Sequence, residues 1–155
     1  MPYSLQDFFA AATQKAADDL LAAFLHLPED KRDWSPGEKS RTALDQVAEC
    51  TLLNGYMADL IQTRTWQQDW FANFPAEKAE AAAQDWDTLH ARLQESTRRV
   101  AQAIAAVPDE ALTDEIALPD WTTARTMTVA EAVAHSYWNM TYHEGQINYI
   151  ASLLA

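Results

Sequence analysis

The residues best suited to chemistry lie near the C-terminus, in the segment 135–146, which reads HSYWNMTYHEGQ. This segment belongs to an apolar-periodic stretch from Val129 to Leu154 that contains no proline, and such a pattern predicts a helix. An α-helix places every fourth residue on one face, so His135, Asn139 and His143 form one line. Polar groups able to bind a metal therefore occupy a stripe expected to face the core. There they need hydrogen-bonding partners or something bound.

His143 has three possible roles: metal ligand, general base, or core histidine held by a neighbour. Glu49 is the most informative residue elsewhere, because it lies in the least polar part of a predicted helix. Its carboxylate either lies on a narrow solvent strip or points inward to a cation, a protonated histidine or a metal. If Glu49 and His143 oppose each other across a helical bundle, they supply one oxygen and one nitrogen to a divalent ion. His135 lies about 12 Å from His143 along the helix axis, so we interpret it as structural.

The remaining polar and aromatic candidates have simpler interpretations. We expect the other histidines and several aspartates to be solvated: His26, His90, Asp18, Asp19 and Asp45. Cys50 has neither a cationic neighbour nor a second cysteine, which gives little support for a redox role. A group of aromatic residues either packs in the core, as is usual at helical spacing, or borders a pocket: Trp34, Tyr56, Trp121, Tyr137, Trp138 and Tyr142.

The bulk composition narrows the class of protein. The 155 residues are enough for one domain, here 1–155, built around one core. A net charge of −12 disfavours binding to nucleic acid and to anionic membranes. The single cysteine excludes an intrachain disulfide and suits a reducing compartment. With no apolar run near 18 residues and no basic leader, we expect a cytoplasmic protein.

Four long helices must position the candidate residues. The first is expected to begin at Pro2 or Ser4 and to end near His26, and the second to run from about Ser40–Thr42 to Thr63. Residues 65–75 are expected to be irregular or briefly helical. The third helix is expected to begin at Ala76 or Ala83 and to end near Ala106, before Pro108.

The last helix follows a long connection. Residues 109–127 have no helical period and alternate weakly, which indicates a crossover with room for a short hairpin. Thr128 and Glu131 have the spacing of a capping box that starts the fourth helix. Four helices and one long link predict an all-α fold, a four-helix bundle with a long crossover before the last helix.

Three short motifs resemble those of the DinB-like superfamily. Residues 142–147, YHEGQI, resemble the HxxxHRGQ signature of that family's last helix. Residues 42–50, TALDQVAEC, resemble its second-helix stretch, which ends in a histidine, and residues 33–37, DWSPG, resemble the usual entry to that helix. The order of elements agrees over the whole chain, so the resemblance implies a four-helix bundle, often a homodimer.

The resemblance also implies a divalent ion held by three histidines, one from the second helix and two from the fourth. Carried across by position, these ligands fall on Glu49, Asn139 and His143, so two of the three histidines are replaced. Glu144 stands where the family usually has arginine. A Glu/Asn/His set is still able to bind a divalent ion such as Mn, Ni or Zn.

Two functions follow from these residues. In the first, the chain is a metal-dependent hydrolase or thiol transferase, with the ion activating water or a thiol. In the second, it is a non-catalytic bundle that has lost the metal and binds a small ligand or a protein partner. A hydrolase needs a general base besides its ligands, and Asp45, expected to face outward, is the only nearby substitute. A homodimer interface is expected at the aromatic segment 66–74.

Overall fold

The computed structural model describes residues 3–155 and contains five α-helices. They are α1 (Leu5–His26), α2 (Ala43–Thr63), α3 (Trp70–Ala82), α4 (Trp86–Ala105) and α5 (Val129–Leu154). Single 3₁₀ turns at Glu29–Lys31 and Asp109–Ala111 follow α1 and α4, and the strands β1 (Glu115–Ala117) and β2 (Thr126–Thr128) precede α5. No helix within residues 3–155 combines the length and apolarity needed to cross a membrane.

The helix starts follow from local side-chain caps. Ser4 and Thr128 each form a capping box, with Asp7 and Glu131 respectively, and Thr42 accepts a hydrogen bond from the Asp45 amide. These caps satisfy backbone N–H groups that have no partner inside the helix. The starts predicted at Ser4, near Thr42 and at Thr128 are confirmed, whereas the alternative start at Pro2 lies outside the described residues.

The four long helices form the predicted bundle. Helix α1 packs against α4 and α5, and α2 packs against the same two helices from the other side. One core cluster surrounds Leu20, Phe24 and Ile147, and a second surrounds Leu60 and Ile104. The all-α four-helix bundle with a crossover before its last helix is therefore confirmed.

The segment between α2 and α4 differs from the expected one. Residues 70–82 form a separate helix that contains Pro75, and α4 begins anew at Trp86. The break has a local cause, because the Asp85 side chain accepts a hydrogen bond from the Thr88 amide and caps a new helix. Trp86 then stacks on Phe24 with a ring-centroid distance of 4.6 Å, which fixes the start of α4 against α1.

The crossover contains a short hairpin, which the sequence pattern allowed. Strands β1 and β2 are antiparallel, with Ile116 opposite Met127. Ile116 is buried in the second core cluster, so the hairpin is anchored by an apolar side chain. The Val129 amide donates to the Asp114 carbonyl oxygen at 3.0 Å, which fixes the start of α5 to the crossover.

Candidate functional site

Glu49 and His143 meet between α2 and α5. The His143 imidazole is buried, and its Nε2 lies 3.0 Å from Oε1 of Glu49. Glu49 is only partly exposed, with 19% of its side-chain surface accessible. Of the two orientations left open for Glu49, the structure has the inward one, and its partner is His143.

Two glutamines hold the other ring nitrogen of His143. Nδ1 lies 2.9 Å from Oε1 of Gln46 and 3.0 Å from Oε1 of Gln146. Oxygen atoms thus face both ring nitrogens, and the tautomer of the ring decides which nitrogen donates.

The other carboxylate oxygen of Glu49, Oε2, faces cationic side chains. Nη2 of Arg41 lies 2.7 Å from Oε2 of Glu49, and Nε of Arg41 donates to Asp45 at 2.5 Å. Lys78 on α3 lies 2.9 Å from Asp45 and 4.0 Å from Glu49. Two carboxylates and three potential cations therefore form one connected network, which we call the Glu49 network: Arg41, Asp45, Glu49, Lys78 and His143.

The network keeps Glu49 ionised. Burial would raise the pKa of this carboxyl, but the hydrogen bond from His143 and the charge and hydrogen bond of Arg41 outweigh burial. Together they lower the pKa from 4.5 to about 2. Glu49 is therefore a carboxylate at neutral pH, and the Arg41 guanidinium already supplies it with a cationic partner.

Asn139 is directed elsewhere. Its amide Nδ2 lies 3.6 Å from Sγ of Cys50, and Asn139 has no hydrogen bond to Glu49 or His143 within the described chain. The structure thus brings together two of the three predicted metal ligands and turns the third toward a thiol. Burial raises the pKa of the Cys50 thiol well above its usual range, which gives no support for a reactive cysteine.

The other histidines lie outside the network. His135 is half-buried beside Trp138, with a ring-centroid distance of 5.6 Å, and burial lowers the pKa of His135. This agrees with its interpretation as a structural histidine. His26 is exposed as expected. His90 is half-buried and stacks on Trp86, so the expectation that it is solvated was only partly right.

A cavity of about 520 Å³ lies next to the network, between α5 and the connector that precedes α2. Gln46 and Gln146 belong both to its lining and to the hydrogen bonds of His143. The remaining lining comes from two segments: Pro36, Lys39, Ser40 and Arg41, and Tyr142, Gly145, Tyr149 and Ile150. Of the aromatic residues considered as a pocket border, Tyr142 borders this cavity.

The aromatic segment expected at a homodimer interface is partly exposed. Trp66 and Trp70 are half-buried and contact each other, whereas Phe71 is 63% exposed and packs on Trp121, itself 57% exposed. The homodimer stays a prediction.

Sequence reasoning missed three members of the site: Arg41, Gln46 and Lys78. A signal existed for Arg41, because Arg41, Asp45 and Glu49 are spaced four apart, as charged pairs on one helix face are. Lys78 had no such signal, since its segment was not expected to form a separate helix beside α2. Asp45, which was expected to be solvated, is only partly exposed and pairs with both cations.

This donor set fits a tightly held divalent ion poorly. Protein metal sites usually offer three or more ligands, here reduced to one imidazole nitrogen and one carboxylate. The carboxylate is bonded to Arg41, and Lys78 stands 4.0 Å away, so a dication would face existing positive charges. Within residues 3–155, no group of three or more His, Cys, Asp or Glu side chains is arranged to hold a metal.

The fold and the position of the site define a four-helix bundle with a polar centre between its second and last long helices. The family model described as "DinB family" matches residues 1–154, and the chain belongs to that family. Comparison with curated proteins and with solved structures gave no match.

Proposed function

We propose that this chain is a metal-independent member of the DinB family that binds a small molecule in the cavity beside His143. The observation that carries the proposal is the double engagement of Glu49, whose Oε1 contacts His143 and whose Oε2 contacts Arg41. The positive charge that an ion would supply at this point comes instead from side chains. The Glu49 network then serves as a fixed wall behind the cavity.

The cavity supports the binding role. Its volume of about 520 Å³ is within the range of pockets that enclose small organic molecules. Its back wall is held rigid, because Gln46 and Gln146 are both tied to the buried imidazole. A preorganised wall lowers the entropic cost of binding.

A metal-dependent hydrolase or thiol transferase is the second candidate. The observation in its favour is that Glu49 and His143 place an oxygen and a nitrogen 3.0 Å apart, a separation that two ligands of one ion also adopt. With Asn139 as the third ligand, Mn, Ni or Zn would be the candidate ions. This reading requires Arg41 to release Glu49, and it leaves Asp45, which is paired with Arg41 and Lys78, as the nearest base.

Metal binding by protein without a histidine tag separates the two functions. Elemental analysis followed by calorimetric titration with Mn, Ni and Zn should find no stoichiometric ion in the natural chain. The double variant Glu49→His/Asn139→His is the positive control, since it restores three histidines at the family positions and should bind one equivalent of Ni or Zn. Circular dichroism verifies that the variant is folded.

One equivalent bound by the natural chain, and lost in both Glu49→Ala and His143→Ala, would overturn the proposal and establish the metal site. The further substitution His143→Ala in the double variant should abolish its binding. That result would confirm that the double variant binds the metal ion at positions 49, 139 and 143.

A further inference from the structure

The cavity beside His143 differs in charge from the other cavities of the described chain. Its lining contains two cationic residues, Lys39 and Arg41, and no carboxylate. Each of the four other cavities described has at least two acidic residues in its lining. This contrast arises in a chain with 23 acidic and 11 basic residues, whose surface is negative as a whole. At short range, Lys39 and Arg41 therefore favour an anionic group in this cavity over a neutral one.

The two cationic side chains of this cavity have N–H groups that are not used within the described chain. Arg41 uses Nε and Nη2 for Asp45 and Glu49, whereas its Nη1 donates no hydrogen bond within residues 3–155. Lys39 is exposed and forms no ion pair within the same residues. A guanidinium edge and an ammonium therefore remain for a ligand carboxylate.

The two glutamines add neutral donors. Because the oxygens of Gln46 and Gln146 face His143, their amide nitrogens are turned away from the ring. Neither Nε2 donates a hydrogen bond within the described chain, and neither is a fully buried atom that lacks a partner. The imidazole thus orients two N–H₂ groups as further donors at the edge of the cavity.

The side of the cavity formed by α5 carries two exposed aromatic rings. Tyr142 and Tyr149 are 53% and 63% exposed and stand two helical turns apart. Gly145 lies between them, and a Cβ added there would meet no atom within 4 Å. Bare backbone between two exposed rings leaves room for a planar group to lie against the helix.

We propose that this cavity binds a small planar organic carboxylate. The carboxylate takes the donors of Lys39, Arg41, Gln46 and Gln146, and the planar body lies over Gly145 between Tyr142 and Tyr149. The proposal rests on the proposed function, which places small-molecule binding in this cavity without a metal, and it adds the chemical class of the ligand.

Paired probes test the charge requirement. Naphthalene-2-carboxylate and the neutral naphthalene-2-carboxamide have nearly the same shape and differ in charge. Both are titrated into ¹⁵N-labelled protein in excess chelator, with the backbone amides of the glycines as reporters. The chain has only three glycines, so Gly145 reports on the cavity and Gly55, which lies outside its lining, serves as an internal reference.

We expect the carboxylate to shift the Gly145 signal, to leave the Gly55 signal in place, and to bind roughly tenfold or more tightly than the carboxamide, as a charge-assisted contact implies. Lys39→Glu should weaken carboxylate binding by roughly the same factor. Arg98→Glu makes the same charge change on the exposed face of α4 and should have little effect. Gly145→Leu should abolish binding, because the side chain fills the space between the two tyrosines.

Equal binding of the two probes, no binding of either, or an unchanged affinity in Lys39→Glu would overturn the inference. Because the titration is performed in chelator, its result is independent of the metal titration described above. A metal-binding natural chain would refute the proposed function, whereas a silent Gly145 in chelator would refute the carboxylate site alone.

Discussion

Glu49 and His143 are 94 positions apart in the chain, and their side chains meet at 3.0 Å in the interior of the bundle. Each brings further partners: Glu49 is bonded to Arg41, and His143 to two glutamines. The contact therefore joins a charged network on one side to a cavity wall on the other. The first prediction concerns how much this contact contributes to the free energy of unfolding.

Glu49→Gln and His143→Gln should each lower the free energy of unfolding by about 2–3 kcal/mol. Either change keeps the approximate shape but removes a charge-assisted hydrogen bond and leaves a buried partner poorly satisfied. Urea denaturation at pH 7 measures the loss. Glu95→Gln is the matched control, because Glu95 pairs with Arg98 at the surface, where solvent screens the pair and the expected loss is small. Equal losses in the buried and the surface variants would contradict the prediction.

The stability of the natural protein should fall in acid partly through Glu49. The pKa of this carboxyl is lowered from 4.5 to about 2 in the folded state, so the unfolded chain takes up the proton first as the pH falls. The resulting stabilisation is fully present above pH 4.5 and is lost between pH 4.5 and 2, with an upper limit of about 3 kcal/mol.

The measurement is the stability difference between the natural chain and Glu49→Gln as a function of pH. This difference should shrink as the pH falls below about 4.5. A difference that does not change with pH would show that the folded-state pKa of Glu49 is not lowered.

Gly145→Ala should stabilise the fold by about 1 kcal/mol, because alanine is the better helix former and the new methyl group meets no atom within 4 Å. Gly55→Ala on α2 is the companion variant, and its Cβ would lie 3.8 Å from Nη1 of Arg99, an ordinary contact. It should gain a similar amount. Thermal denaturation of both variants tests the prediction, and a loss of stability confined to Gly145→Ala would contradict it.

Cys50 should be inert in the folded protein. Its thiol is buried, and burial raises its pKa, so little thiolate is present at neutral pH. A chromogenic disulfide reagent should titrate one thiol per chain in denaturant and should react with the folded chain only on the timescale of its opening. Rapid stoichiometric labelling of the folded chain would contradict this prediction.

The fold was predictable because its signals are local. The caps at Ser4, Thr42 and Thr128 are short-range hydrogen bonds, and the apolar period of the long helices reflects one buried face. The cap at Asp85, which starts α4, is also local, but it lies in an alanine-rich run that favours one continuous helix.

The candidate site was only partly predictable. The pairing of Glu49 with His143 was one of the possibilities that the sequence left open, because a buried carboxylate needs a partner and one on a solvent strip does not. The engagement of Lys78 depends on how α3 packs against α2, and the turn of Asn139 toward Cys50 depends on the rotation of α5 about its axis. Such features are set by tertiary packing, which a single sequence does not reveal.

The side chains that contact Glu49 come from three separate segments: Arg41 from the connector before α2, Lys78 from α3 and His143 from α5. A histidine at position 49 would remove the carboxylate that all three share. A three-histidine centre also needs a histidine at position 139, so a change at position 49 alone would give a less stable protein that still lacks the centre.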